Sequence, residues 1–331
     1  MIHVINDSNN PYFNLALEEY FLKDKYLNED ILILWQNDPV IVFGKNQNIY
    51  AEVNFPYVES RNIKLVRRMS GGGAVYHDHG NLNFTVIKRN ARIQQNNFQF
   101  FVQPVVRCLQ AYGVDASFSG RNDLMIGDRK FSGNAQYAYR NSLLHHGTLL
   151  FSSDLEVLTQ ALKVNNEKLK SKGVASIKGR VTNISEHLPG SVTLDLFKVS
   201  LIQRIAEESE QFQIYYLTAA DEEAVNRRMK ERYLTDEWNY ELRGDNGEQP
   251  AFRFAGGTLT IDIEIIEGMI QRFRLWGDYF ENRPVSQLEE LFIKLPFQRN
   301  ALEQKLSTIC VSDYIHKLDN KTLVDFIFHE K

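Results

Sequence analysis

The alternation of apolar and polar positions divides the chain into helical and strand periods. Pro11 follows Asn9-Asn10 and suits a first helical position, and Phe13, Leu17 and Phe21 then recur every fourth residue, so the spacing predicts a helix over about 11–26 with one buried face. Residues 31–36 and 40–44 read as two strands around Asn37-Asp38-Pro39, before a helix near 50–61 and a strand at about 64–69. Leu82, Phe84 and Val86 alternate with Asn83 and Thr85, the period of a half-buried strand. Beyond them the pattern predicts a helix at about 97–112, a hairpin in which 124–126 and 129–131 flank Gly127-Asp128, and a strand at 143–151. Helices fit near 154–163, 193–209 and 221–233. Helices mixed with mostly hairpin-linked strands predict an α+β fold rather than a doubly wound parallel one.

The polar, turn-rich stretch 245–250 reads as a linker. Beyond it, Leu259, Ile261, Ile263 and Ile265 alternate with Thr258, Thr260, Asp262 and Glu264, and Phe273 and Leu275 alternate with arginines after Glu267-Gly268. That is a hairpin with one wet face, and helical patterns near 284–295 and 298–307 complete a small α+β unit. The expected division is 1–246 and 250–331.

A chain of 331 residues, 43% of them hydrophobic, has ample material for one large and one small core. The net charge of −4 gives no global pull toward nucleic acid or an anionic membrane. Two cysteines, Cys108 and Cys310, exclude a disulfide scaffold and an all-cysteine zinc site. No apolar run approaches a membrane span, and the N-terminus lacks the layout of a signal peptide, so a reducing cytoplasm is the expected compartment.

The sharpest local feature is Arg67-Arg68-Met69-Ser70-Gly71-Gly72-Gly73-Ala74-Val75-Tyr76-His77-Asp78. Consecutive glycines let backbone N–H groups approach a ligand closely, and the arginines add charge suited to phosphate or carboxylate. The glycine spacing is neither that of a P-loop nor of a dinucleotide fingerprint; a plain turn between strands is the alternative. His77 and His79 are read as ligand-contacting or structural rather than as a metal pair, because no further Cys/His/Glu cluster completes a site. Across the Gly127-Asp128 turn, 126 would face 129, 125 would face 130 and 123 would face 132. Asp123, Met125, Lys130 and Ser132 would then share a face, with Asp123 and Lys130 within reach of one ligand. An exposed hairpin with a stray ion pair is the alternative. His145 and His146 fall on opposite faces of their strand; His146 and Thr148 share one, as a site lining or as a hydrogen-bonded core pair. Lys168, Lys170, Lys172, Lys178 and Arg180 form a basic run without aromatic residues, either a loop that closes on an anion or a solvated loop. Both cysteines lie in apolar surroundings and neither looks like an activated thiolate.

These motifs occur in one order with Gly120-Arg121-Asn122-Asp123-Leu124, Asp128-Arg129-Lys130-Phe131-Ser132-Gly133-Asn134-Ala135 and His145-His146-Gly147-Thr148-Leu149-Leu150. Lys172-Gly173-Val174-Ala175-Ser176-Ile177-Lys178-Gly179-Arg180-Val181-Thr182-Asn183 follows, with Phe13-Asn14-Leu15-Ala16-Leu17-Glu18-Glu19 near the start and Trp238-Asn239-Tyr240 before the linker. In that order the sequence resembles lipoate–protein ligases of the bacterial type over essentially its whole length. The resemblance implies an α+β fold: a large biotin/lipoate-ligase-type catalytic domain with mixed sheets and flanking helices, plus a small α+β accessory domain.

The resemblance also implies two half-reactions. Lipoate and MgATP, with Mg2+ and ATP as one substrate complex, would give lipoyl-AMP and pyrophosphate; a lysine of an acceptor would then take the lipoyl group. Acceptors would be lipoyl domains of 2-oxoacid dehydrogenase E2 subunits or the glycine-cleavage H protein, with no nucleic acid, membrane or tightly bound prosthetic group involved and a monomer sufficient. It implies Lys130 and Asp123 as catalytic residues. It implies lipoate and ATP binding by Arg68, Ser70, Gly71, Gly72, Gly73, Ala74, Val75, Tyr76, His77, Asn122, His146 and Thr148, and by a closing loop with Ser176, Ile177, Lys178 and Arg180. It identifies no magnesium ligands. Met69 stands where a small polar residue is frequent in the family, and Lys178 where arginine is frequent. A transferase using preformed lipoyl-AMP, or a non-catalytic binder, are the rival readings.

Overall fold

The structure, a computed structural model, describes residues 1–90, 96–163, 178–240 and 251–328. Along the chain run β1 (Ile2–Ile5), α1 (Pro11–Lys23), β2 (Ile31–Trp35), β3 (Val40–Phe43), α2 (Ile49–Glu52), α3 (Phe55–Ser60), β4 (Lys64–Arg67), β5 (Val75–His77) and β6 (Asn81–Lys88). Then come α4 (Phe98–Ala111), β7 (Ala116–Ser119), β8 (Asp123–Ile126), β9 (Arg129–Tyr139), β10 (Ser142–Leu150), α5 (Leu155–Ala161), α6 (Leu194–Glu207), β11 (Gln213–Tyr216), α7 (Ala219–Arg228) and α8 (Asp236–Tyr240). The C-terminal part holds β12 (Ala251–Phe254), β13 (Gly257–Ile266), β14 (Met269–Gly277), α9 (Val285–Glu290), α10 (Arg299–Leu306) and α11 (Asn320–Ile327).

The chain forms two compact units: Met1–Val42, Glu52–Arg67 and Val75–Asn239 in one; Phe43–Ala51, Arg68–Ala74 and Tyr240–Lys331 in the other. The first is built on an eight-stranded sheet ordered β11-β1-β2-β6-β10-β9-β8-β7, in which β1 runs parallel to both neighbours and the other pairs are antiparallel. One face of the sheet packs on α4 and α6 through Leu82, Phe84, Leu109, Phe131, Phe197 and Leu201. The other face meets α1, whose start is set by Pro11 in its first turn and by Asn10 accepting from the Tyr12 N–H. Its far end is capped by the buried Arg89, which donates to the carbonyls of Phe21 and Leu27.

That second cover changes the reading of residues 82–86. The strand is not half-buried: Asn83 and Thr85 are buried like Leu82 and Phe84, because α1 covers their face and every one of these polar groups is hydrogen-bonded. Residues 31–36 and 40–44 do form strands, but β3 enters a separate sheet ordered β4-β3-β5. Asn37, fully buried between Asn14 and His77, diverts the chain there. The helix expected near 50–61 is two short helices, interrupted where Val53 bridges Leu162.

In the second unit, β12-β13-β14 form a sheet packed on α9–α11 through Leu259, Phe273, Leu288, Phe292, Leu302 and Leu323. The expected apolar stripe of β13 breaks at an irregularity between Glu264 and Ile265, beyond which Ile265 and Ile266 are exposed; Asp262, expected on the wet face, is buried against Arg272. The stretch 245–250 lies outside the described residues.

Candidate functional site

Register alone lines up the polar residues of the large sheet. Trp35 pairs with Asn83, Asn83 with Thr148, and Asp123 with Gly133. The Thr148 hydroxyl closes the remaining step by accepting from the Gly133 N–H at 3.2 Å. Paired residues of antiparallel strands share a face. Trp35, Asn83, Thr148, Gly133 and Asp123 therefore form a row across five strands, on the face opposite α4 and α6. Thr85 and His146 pair one step further along it, opposite Ala135.

At the end of the row, the Lys130 ammonium meets the Asp123 carboxylate at 2.7 Å, both side chains partly exposed. The two were expected to meet, but by a different register. Residues 125 and 126 face 130 and 129, whereas Asp123 pairs with Gly133 and Leu124 with Ser132. Phe131 is the extra residue of a bulge, turned into the core at 0% exposure, and Ser132 is buried beyond it, away from the face of Lys130. Asn122, expected in an adenylate pocket, donates its amide to the Asn134 carbonyl and accepts with its own carbonyl from Asn134, which ties β8 to β9.

The two neighbouring histidines serve opposite faces, as alternation requires. His146 Nδ1 contacts both Glu18 oxygens at 2.9 and 3.1 Å, and Glu18 also accepts from the Thr85 hydroxyl, which in turn accepts from the Trp35 indole. His145 stacks on Phe101 under α4, donating from Nε2 to Asn134 and accepting at Nδ1 from Gln136. Burial, then the neighbouring His146, hold its pKa well below the ordinary 6.5, so it is a neutral structural group. His77 lies on β5, buried, with its Nδ1 facing the amide nitrogens of Asn37 and Asn83 at 3.0 and 3.4 Å. The Asn37 carbonyl is already taken by Asn14, so Nδ1 is the acceptor and Nε2 carries the proton. His79 is 62% exposed beside Asp38. Among the described residues, no three His, Cys, Asp or Glu side chains cluster as a metal-ion group. Burial pushes the Tyr76 phenol up and raises the Cys108 thiol to about 11, an inert core cysteine; Cys310 is exposed.

The glycine loop belongs to the second unit. Both arginines before it are buried, and neither simply lends charge to the glycine N–H groups. Arg67 turns to the carbonyls of Trp238 and Asn239; Arg68 folds over its own loop, donating to Ser70 Oγ and to the carbonyls of Gly71 and Gly73. The three glycines differ. A Cβ on Gly71 would lie 2.3 Å from the Tyr279 carbonyl; Gly72 has φ +88° and donates its N–H to that carbonyl; Gly73 has open space around it. Ala74 and Val75 lead into β5. Ser176 and Ile177 lie outside the described residues, as does most of the basic run; Lys178 and Arg180 belong to a 3₁₀ turn whose continuation is pinned by Thr182 N–H donating to the Lys130 carbonyl.

Residues 10–206 match the family model described as the lipoyl protein ligase A/B catalytic domain, and residues 249–327 that of the bacterial lipoate protein ligase C-terminus. A lipoate–protein ligase of Bacillus subtilis is 37% identical across 99% of this chain and all of its own length. Lipoate–protein ligase 1 of Staphylococcus aureus is 38% identical, covering 96% of this chain and 97% of its own. The chain belongs to the lipoate–protein ligase family. Among solved structures, Plasmodium falciparum LipL1 in complex with lipoate superposes with a TM-score of 0.80 at 23% identity over 99% of this chain and 97% of its own, a likeness of fold. A bipartite lipoate protein ligase of Thermoplasma acidophilum, described with its E2 lipoyl domain, gives 0.66 at 29% identity over 74% of this chain and 98% of its own. A lipoate–protein ligase A bound with ATP gives 0.64 at 27% identity over 73% and 98%.

In this ligase the sequence pattern missed Glu18, Thr85 and Trp35 as neighbours of His146, and Asn37 and Asn83 as the groups that orient His77. Glu18 sits one residue past Leu17 on a helix read by its apolar stripe alone. The available signal was a pair of adjacent carboxylates, Glu18-Glu19, set between the apolar residues Leu15-Ala16-Leu17 and Tyr20-Phe21-Leu22. No described helix is long and apolar enough to cross a membrane.

Proposed function

We propose that this member of the family performs both half-reactions, with lipoate and MgATP as first substrates and a lysine of a lipoyl domain or an H protein as acceptor. The observation that carries the site assignment is the Lys130–Asp123 pair at the end of the polar row. A lipoate carboxylate oxygen would attack the α-phosphorus; the new O–P bond forms as the bridge to the β-phosphate breaks, and pyrophosphate leaves with the electron pair. Lys130 would stabilise the charge gathering on the α-phosphate and again as AMP leaves. Asp123 holds the ammonium until substrate anions compete for it.

In the second step the acceptor amine would attack the acyl carbon. A C–N bond forms, the acyl–phosphate C–O bond breaks, a proton is lost from nitrogen and AMP departs. Positioning and charge suffice, with no covalent enzyme intermediate. His77 would offer an Nε2–H donor, and His146 and Thr148 would line the polar face from which they project. Ser70 and the glycine loop of 71–73 would bind lipoate with backbone N–H groups, while Arg68 braces the loop. Residues 176–180 would close over the adenylate and exclude water. Magnesium would arrive with ATP, held largely by phosphate oxygens and water. Two unpaired cysteines and an ATP substrate fit a reducing cytoplasm, and one site per chain makes a monomer sufficient.

Pyrophosphate release from lipoate and MgATP tests this reading. The Lys130→Ala variant is expected to keep its fold and to lose all but a slow residual rate of release; release at the normal rate would remove Lys130 from the chemistry.

A further inference from the structure

If Lys130 neutralises the forming adenylate, the place of its ammonium matters as much as its charge. We infer that Gly133 is a positioning residue for Lys130: its missing side chain is the slot through which the lysine crosses to Asp123. The inference rests on the role assigned to Lys130 above.

Three features of β9 build the slot. Lys130 and Gly133 are three apart and would point to opposite faces of a regular strand. The extra residue at Phe131 restores them to one face, since Asp123 pairs with Gly133 while Met125 pairs with Lys130. Asp123 thus lies directly opposite Gly133, and Lys130 must pass over Gly133 to reach it. A Cβ at 133 would sit 2.9 Å from Lys130 Nζ and 3.1 Å from its Cε, with no other heavy atom within 4 Å. Finally, Thr148 Oγ1 accepts from the Gly133 N–H at 3.2 Å and faces the Gly133 carbonyl at 3.5 Å, which fixes that peptide under the lysine.

Ordinary reasons for glycine do not apply here. Gly133 has no positive φ, so alanine fits the backbone. Its neighbour Gly147 is a different case: a Cβ there would lie 2.1 Å from Asn134 Oδ1 and 2.6 Å from the Phe84 ring, so that glycine serves packing. At 133 the displaced group is the far end of a flexible side chain. An added methyl therefore leaves the fold in place and moves the ammonium instead. Displacements on the scale of 1 Å at a reacting centre cost up to about a hundredfold in rate.

The test uses the full chain, with pyrophosphate release from lipoate and MgATP measured at steady state for chains that keep Lys130, and in long single-turnover incubations for those that lack it. Gly133→Ala is expected to keep the melting temperature and the calorimetric affinity for lipoate, and to lower kcat by roughly tenfold or more with KM for lipoate within about twofold. In the Lys130→Ala background, where no ammonium remains to be displaced, adding Gly133→Ala is expected to change the residual rate by less than about twofold. A Gly133→Ala enzyme with wild-type kcat would overturn the inference, as would an equal proportional loss in both backgrounds, which marks a general structural defect. Lys130→Ala at the wild-type rate would overturn the adenylation reading itself, a result visible without any Gly133 variant.

Discussion

His145 and His146 show how one residue step sends two like side chains to opposite faces of a sheet. Both are histidines on one strand, yet one is enclosed between Phe101 and Asn134 and the other meets Glu18 on the face that carries Lys130. Because the pKa of His145 is depressed in the folded chain, the unfolded chain binds its proton first as pH falls below about 6.5. Its contribution to stability is complete above that pH and is lost as pH falls toward the folded value. Urea titrations between pH 7.5 and 5 should show His145→Gln flattening this fall relative to the parent; an unchanged slope would mean that His145 is not held neutral. The opposition of the two histidines was legible from alternation. The placement of Glu18 was not, because the helix pattern reports where apolar side chains go and is silent on a carboxylate buried between two hydrogen-bonding partners, Thr85 and His146. The Phe131 bulge was likewise hidden: a phenylalanine in a strand carries no mark of being the extra residue.

The glycine loop separates what three identical residues do within one element. Gly72→Ala should cost about 1–2 kcal/mol, since its φ of +88° strains any residue with a Cβ. Gly71→Ala should also destabilise, because its new methyl would meet the Tyr279 carbonyl. Gly73→Ala should stay within about 0.5 kcal/mol of the parent in denaturant unfolding, since its Cβ would meet open space, and yet weaken lipoate binding if the proposed loop holds lipoate there. Calorimetry on the Gly73 variant decides; parent-like affinity would remove Gly73 from the binding loop. In the large sheet, Gly147→Ala should cost on the order of 2 kcal/mol by overpacking against Phe84 and Asn134, read from urea midpoints. Most elements were legible as periods of two or four. What failed was pairing. β2 and β3 look like a hairpin around an Asn-Asp-Pro turn, but the buried Asn37 is held by Asn14 and His77, and the strands enter different sheets. Pairing of that kind is decided by contacts distant in sequence.

At the scale of the whole chain, the hairpin on which the C-terminal unit is built was readable from the β13–β14 alternation. That Phe43–Ala51 and Arg68–Ala74 pack with that unit was not, because nothing local in those stretches records which core receives them. The binding loop proposed for lipoate is therefore braced by Tyr279 and Phe280 of the C-terminal segment. Substitutions in that segment that disturb the 279–280 backbone should raise KM for lipoate before they affect acceptor lipoylation from supplied lipoyl-AMP. The measurement that bears most directly on the central claim is the intact mass of an unmodified lipoyl domain incubated with this chain, lipoate and MgATP, beside an ATP-free control and one given lipoyl-AMP. The account predicts an ATP-dependent mass gain on the acceptor lysine, lost with Lys130→Ala. A gain with lipoyl-AMP alone, and none with lipoate and MgATP, would contradict it and make the chain a transferase.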